Sequence, residues 1–144
     1  MKTKFFSHVA QLRRVDRAAG ILIFGVFLLT AGTLRADVPQ VHTRCGWFDN
    51  SSPGNATLAD RDGEWTIGQQ GGHQATGTWP NFKAGQWVRT GVGSYGYGCA
   101  CMRVTVNADT QEIVEIQSSF SKPLSACRKD RALKEPENPL KGRR

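Results

Sequence analysis

The sequence lacks the short motifs that mark the common hydrolases and nucleotide-binding enzymes. It has no Gly-x-Ser-x-Gly elbow, no histidine pair of a zincin helix and no glycine-rich phosphate loop. These motifs position a nucleophile, a zinc ion or a phosphate group, so the chain offers no catalytic signature. The sequence therefore favours a protein that binds a partner over one that catalyses a reaction.

The central part of the chain also lacks positive charge, although the whole chain has a formal net charge of +7. Residues 1–36 hold six bases and one acid, and residues 128–144 hold seven bases and three acids. Between these ends, residues 37–127 have six bases against eight acids. We expect no nucleic-acid partner, because neutralising phosphates requires a basic face.

The N-terminus has the pattern of a secretory signal. Basic residues precede an apolar run at 21–29 that is short for a membrane span. Cleavage after Ala36 would make residues 1–36 a signal peptide and residues 37–42 a leader of the mature chain. We therefore expect a periplasmic or secreted protein, with an uncleaved membrane anchor as the alternative.

Four cysteines lie in the exported part, and two of them stand one residue apart in "YGYGCACM" at 95–102. An even number of cysteines in an oxidising compartment predicts two disulfides; the residues are Cys45, Cys99, Cys101 and Cys127. A bond between Cys99 and Cys101 would be strained, because alternate residues of a strand are about 7 Å apart at Cα. We expect Cys101 to pair with Cys127 and Cys99 with Cys45, and the reverse assignment stays open.

A zinc site made of these thiols and His73 is a weaker alternative. The spacing lacks the Cys-x-x-Cys pairs that structural zinc sites favour, and oxidation competes for the thiolates. We expect no metal and no cofactor.

Residues 43–134 are predicted to form one small, mainly β domain, an antiparallel sheet with a short C-terminal helix. Alternation of apolar and polar residues predicts strands in "GEWTIG" (63–68), at 74–79 and in "GQWVRT" (85–90). A hairpin is predicted at 101–116 around the turn residues 107–110, with core residues Val104, Val106, Val114 and Ile116. Ser121 is predicted to cap a helix from Pro123 to Lys134, with Leu124 and Cys127 facing inward.

Large aromatic rings are frequent for so small a domain, and they indicate a binding surface. Trp79-Pro80-Asn81-Phe82 and Tyr95-Gly96-Tyr97 have loop-like surroundings. We therefore predict that Trp79, Phe82, Tyr95 and Tyr97 are exposed and contact a partner, and His73 is a fifth candidate binding residue. Trp47 and Trp65 are expected in the core.

Four segments together resemble a family of small exported bacterial proteins known as domain of unknown function 4087. These segments are "RCGWFDN" (44–50), "DRDGEWTI" (60–67), "YGYGCAC" (95–101) and "SACRKD" (125–130). The resemblance covers nearly the whole domain. It implies export and a disulfide-bearing fold, and it implies no activity.

We expect a binding module of the periplasm or envelope, comparable in design to an inhibitor of periplasmic hydrolases. The partner would be an envelope protein or a glycan. One alternative is a small periplasmic enzyme in which His73 acts as a base. Another is an envelope-associated structural protein whose disordered basic tail, 135–144, makes weak contacts with the membrane or wall.

Overall fold

The computed structural model describes residues 40–141, which form seven strands and one short helix. The predicted signal peptide and residues 37–39 of the predicted leader lie outside the described residues. The predicted fold class, mainly β with a short C-terminal helix, is confirmed. Within residues 40–141, no helix is long and apolar enough to cross a membrane. The elements are β1 (Val41–Ser52), β2 (Asn55–Asp60), β3 (Gly63–Gly68), β4 (Thr76–Gly77), β5 (Trp87–Arg89), β6 (Gly96–Asn107), β7 (Glu112–Lys122) and α1 (Leu124–Lys129).

Five of the strands close into a barrel. The antiparallel strands β1, β2 and β3 follow one another, and β6 returns through a long connection to pair with β1, which is a Greek key. The strand β7 pairs with β6 on one edge and lies parallel to β3 on the other, so the sheet closes. The short strands β4 and β5 extend the edges of β7 and β6.

Side-chain carboxylates and amides fix two of the hairpin turns. Oδ1 of Asp60 accepts hydrogen bonds from the backbone N–H groups of Asp62 and Gly63 between β2 and β3. Oδ1 of Asn107 accepts from the backbone of Asp109 and Thr110 between β6 and β7. Asn and Asp favour turns for this reason, and the predicted turn at 107–110 is confirmed.

The barrel interior contains one hydrophobic cluster drawn from all five barrel strands. We call it the interior cluster; its buried members are Phe48, Ala56, Leu58, Trp65, Ile67, Ala100, Met102, Val104, Ile113 and Ile116. An ion pair lies beside Trp65: Nη1 of Arg44 is 2.7 Å from Oδ2 of Asp60. The Arg44 guanidinium also stacks 3.7 Å from the centroid of the Trp65 ring. Trp65 donates from its indole N–H to Asp60, whereas Nε of Arg44 is buried without a hydrogen-bond partner within residues 40–141.

A second cluster lies on the other face of β1 and β6, under the C-terminal segment. We call it the outer cluster; it consists of Trp47, Tyr97, Cys99 and Cys127, with Ala59, Val88, Leu124 and Leu133 packed against it. Because successive residues of a strand point to opposite faces, β1 sends Phe48 into the barrel and Trp47 outward. Both tryptophans that we predicted in the core, Trp47 and Trp65, are buried.

The structure has two disulfides, Cys45–Cys101 and Cys99–Cys127. The preferred pairing of Cys101 with Cys127 was therefore wrong, and the reverse assignment is correct. The register of β1 and β6 explains this result, because Cys45 lies directly opposite Cys101 whereas Cys99 lies opposite Trp47. Cys99 instead meets the helix, and the two neighbouring thiols serve two separate cross-links.

Several predicted boundaries and core residues change in the structure. Val114 was predicted in the core but is 47% exposed, and Ile113 is buried instead. Irregularities in the pairing of β6 with β7 shift the alternation at this point. The helix ends at Lys129, and Pro123 is its N-cap residue with no side-chain cap. Ser121 does not cap the helix, because its hydroxyl hydrogen-bonds to Gln86.

Candidate functional site

The long connection between β3 and β6, residues 69–95, carries most of the aromatic side chains of the candidate site. It contains the short strands β4 and β5 and the segment between them. Trp79, Phe82 and Trp87 of this connection are partly buried and pack against the interior cluster. The connection therefore extends the hydrophobic core of the barrel to the protein surface.

Gly98 leaves the space in which these rings assemble. It pairs with Phe48 of β1 on one side and with Trp87 of β5 on the other. A Cβ atom at Gly98 would lie 2.4 Å from a ring carbon of Phe82 and 2.7 Å from the carbonyl oxygen of Gln86. Any side chain here would displace Phe82, so the close approach requires glycine.

Four rings contact one another around Gly98. The ring centroids of Phe82 and Trp87 are 4.7 Å apart, and those of Phe48 and Phe82 are 5.7 Å apart. Trp79 meets Phe48 edge to face, with a centroid distance of 5.7 Å. These separations fall in the range of favourable aromatic pairs, so the rings support one another as a wall.

The four rings line an open pocket with a volume of about 420 Å³, which we call the aromatic pocket. A pocket of this size is typical of small-ligand sites in proteins, which are lined mainly by apolar and aromatic groups with a few polar ones. The polar residues that line the aromatic pocket are Asn50, Asn81, Lys83 and Ser94.

A second cavity lies against the same tryptophan. This cavity, which we call the β7 cleft, has a volume of about 500 Å³ and lies between residues 77–81 and residues 116–119. It shares Trp79 and Asn81 with the aromatic pocket. The hydroxyl of Ser119 donates to the carbonyl oxygen of Thr78 at 2.8 Å, which ties the connection to β7 at this position.

The five binding residues predicted from the sequence do not form one site. Trp79 and Phe82 meet in the aromatic pocket. Tyr97 was predicted to be exposed, and this was wrong: it is 3% exposed and belongs to the outer cluster. Because Tyr97 lies in β6 and not in a loop, its alternation sends it under the C-terminal segment. Tyr95 is half-buried, and its carbonyl oxygen accepts a hydrogen bond from the backbone of Thr90.

His73 has a structural hydrogen bond. Its Nε2 lies 2.7 Å from the carbonyl oxygen of Ile113. A carbonyl oxygen only accepts, so Nε2 carries the hydrogen and donates to β7. A base at this position would need its free nitrogen beside a carboxylate, a thiol or a substrate. The only side-chain hydrogen bond of His73 within residues 40–141 is the one to Ile113.

The other side of β1 bounds an acidic cavity. This acidic pocket has a volume of about 280 Å³, and its charged lining residues are Asp49, Glu64, Lys134, Glu135 and Glu137. Burial raises the pKa of Asp49, and the nearby Glu64 raises it further. Within the described part of the chain, Nε1 of Trp47 and Oδ1 of Asp49 are buried without a hydrogen-bond partner.

Three side chains fasten the C-terminal segment beside the acidic pocket. The hydroxyl of Tyr97 donates to Glu135 at 3.0 Å, and Arg128 binds the same carboxylate through two nitrogens. The hydrogen bonds from Arg128 lower the pKa of Glu135. Burial and the bond to Glu135 raise the pKa of Tyr97 to about 12. Glu135, the first residue of the predicted disordered tail, is thus attached to the domain.

Metal ligands are not grouped in the described residues. Within residues 40–141, no three His, Cys, Asp or Glu side chains are placed to hold a metal ion. All four cysteines are in disulfides.

Two residues of the aromatic pocket, Phe48 and Trp87, were not among the predicted binding residues. Phe48 lies in a segment with weak alternation, and Trp87 was assigned only to a strand. The glycines at 96 and 98 were the available signal, because small residues within a strand often mark a close approach of another group.

The comparisons with known proteins give one result. The family model described as "Protein of unknown function (DUF4087)" matches residues 39–134. No curated protein and no solved structure matches the chain.

Proposed function

The chain belongs to the DUF4087 family, whose description assigns no activity, and from the geometry of its own site we propose that it is a non-catalytic binding module. The aromatic pocket is the surface that holds the partner. The observation that carries this proposal is the assembly of Phe48, Trp79, Phe82 and Trp87 around a glycine at an open surface pocket.

The rings of the pocket are available for binding because the barrel does not need all of them to close. The interior cluster already fills the barrel with buried side chains, and Trp79, Phe82 and Trp87 are only partly buried against it. Partly exposed aromatic groups that are held rigidly lose little conformational freedom when they bind a partner. Such groups provide much of the affinity at protein binding sites.

Export to the periplasm or the cell surface is part of the proposal. Two disulfides in a small domain are consistent with an oxidising compartment outside the cytoplasm. The basic and apolar pattern of residues 1–36 supports a cleaved signal. A partner in the same compartment would be an envelope protein or a glycan.

The experiment compares two truncations of an aromatic residue to alanine, one inside the aromatic pocket and one outside it. The oxidised domain, residues 37–144, is immobilised as wild type, as Trp79→Ala and as Phe120→Ala, and envelope extract is passed over each. Phe120 is a matched control because it is 46% exposed and lies on β7 outside the lining of the aromatic pocket. Retained protein and retained sugar are both measured.

We expect Trp79→Ala to reduce the retained material by more than about tenfold, as truncation of a central aromatic residue does at other interfaces. Phe120→Ala should retain the wild-type amount. Circular dichroism and the melting temperature of each variant show whether the fold survives. Equal retention by the wild type and a folded Trp79→Ala variant would contradict the proposal.

A further inference from the structure

We propose that the aromatic pocket and the β7 cleft form one elongated site for an oligosaccharide whose sugars carry carboxylate groups. This inference rests on the proposed binding function and names the class of ligand. It follows from the residues that the two cavities share, from the type of their polar groups and from their charge.

The two cavities meet at one tryptophan. The aromatic pocket of about 420 Å³ and the β7 cleft of about 500 Å³ both contact Trp79 and Asn81. A ligand that occupies both cavities would therefore contact Trp79. Chain molecules with repeating units suit such a site, because one unit fills each cavity and the tryptophan lies at the junction.

The polar groups of the site match the hydroxyl groups of sugars. Amides and hydroxyls line the two cavities, namely those of Asn50, Asn81, Gln117, Thr78, Ser118 and Ser119. These groups donate and accept hydrogen bonds, as sugar hydroxyls do. The C–H faces of a pyranose ring are apolar and pack on aromatic rings. A peptide bound as an added β-strand, in contrast, is held mainly by main-chain hydrogen bonds to a strand edge.

The charge of the site selects an acidic ligand. Among the described residues that line the two cavities, none is Asp or Glu, and Lys83 is the only charged one. The acidic pocket on the other side of β1 has four carboxylates, from Asp49, Glu64, Glu135 and Glu137. Residues 37–127 carry more acids than bases, yet no acid among the described residues lines this site. A carboxylate on the sugar would interact favourably with Lys83 and would be repelled by no acid of the lining.

The test uses two oligosaccharides with the same sugar backbone, one with ionised carboxylates and one with neutral methyl esters. Oligogalacturonate and its fully methyl-esterified form are titrated into the domain by calorimetry at low salt. We expect the acidic form to bind and the ester to bind more weakly. The difference should shrink as salt is raised to physiological strength, because the Debye length falls to about 8 Å.

Variants test the two ends of the site separately. Lys83→Gln should weaken oligogalacturonate binding about threefold and leave the methyl ester unchanged, as expected for an exposed charge pair. Lys129→Gln in α1 is the matched control and should change neither. Gln117→Ala should weaken binding of long oligosaccharides and not of the disaccharide, whereas Gln70→Ala should affect neither length.

The outcomes separate this inference from the proposed function. If oligogalacturonate and its ester do not bind, or bind equally, and envelope material is still retained through Trp79, the ligand class is wrong and the binding function stands. Retained protein without sugar would assign the site to a protein partner and would overturn the inference. If neither sugar binds and retention does not depend on Trp79, both proposals fail.

Discussion

The barrel interior and the outer face of β1 and β6 differ in what holds them together. Ten buried side chains from five strands form the interior cluster, and none of them is a cysteine. The outer cluster has four buried members, and two of them are joined by the Cys99–Cys127 disulfide. Hydrogen bonds that Tyr97 and Arg128 donate to Glu135 hold the C-terminal segment against this cluster. Packing thus stabilises the interior, whereas covalent and polar links stabilise the outer face.

The two surface cavities beside β1 differ in the same way, because one adjoins the interior cluster and the other adjoins the outer cluster. The aromatic pocket is an extension of the interior cluster, because its rings pack against that cluster directly. The acidic pocket is bounded by Trp47 of the outer cluster and by residues 134–137. Changes that loosen the outer face should therefore affect the acidic pocket and leave the aromatic pocket intact.

The largest effect is expected from Leu58→Ala in the barrel interior. Leu58 is fully buried in the interior cluster, and its truncation should lower the free energy of unfolding by about 3 to 4 kcal/mol. Chemical denaturation of the oxidised domain measures the change. Val92→Ala, at an exposed position, is the control and should be neutral. A loss below about 1 kcal/mol for Leu58→Ala would show that the barrel interior is not the main source of stability.

Removal of the Cys99–Cys127 disulfide should have the next largest effect. The double change to serine opens a loop of 28 residues, for which chain entropy predicts a loss of about 3.5 kcal/mol. If the comparison of the two faces is right, the variant still folds at low temperature and Trp79-dependent binding keeps its wild-type affinity. Loss of that binding in a folded variant would show that the two faces are coupled.

The parts of the fold that could be predicted from the sequence are those in which apolar and polar residues alternate locally. The strand β3 is present at the predicted residues, because Trp65 and Ile67 alternate with polar neighbours. Neither β1 nor β2 was predicted, since the twelve residues of β1 show weak alternation and are buried on both faces at Gly46–Phe48. The disulfide pairing required the register of β1 against β6, which local sequence does not contain.

The candidate site was only partly predictable for the same reason. Trp79 and Phe82 were identified from their loop-like surroundings. Tyr97, in contrast, looked exposed because glycines flank it, yet those glycines allow close approach within β6. The contribution of Phe48 depends on a contact between β1 and the β3–β6 connection. Contacts between residues distant in sequence are decided by the whole fold, so the glycines at 96 and 98 indicated a close approach but did not identify Phe48 as a partner.

A smaller effect is expected from Tyr97→Phe, which removes only the hydroxyl group that binds Glu135. The loss of this hydrogen bond should cost about 1 kcal/mol at neutral pH. The pKa of Tyr97 is raised from 10.0 to about 12 in the folded protein, so the protonated hydroxyl stabilises the fold below pH 10. The difference between wild type and variant should fade as the pH rises toward 12. Tyr95→Phe is the matched control, and an equal change there would contradict the assignment.

The smallest effect, and the one that distinguishes the two faces by charge, is expected from Asp49→Asn. Burial, followed by the charge of Glu64, raises the pKa of Asp49 above its ordinary value of 3.8. A raised pKa means that the folded state favours the protonated acid, so the stability linked to this group is present at low pH. This stability is lost as the pH rises through the raised pKa.

Asp49→Asn should therefore stabilise the domain at pH 7 by up to about 1 kcal/mol. The gain should vanish at acidic pH, where Asp49 is neutral in both states, and Asp109→Asn in the exposed turn should show neither change. Destabilisation by Asp49→Asn at pH 7 would contradict this prediction, because it would mean that the folded protein stabilises the charged carboxylate.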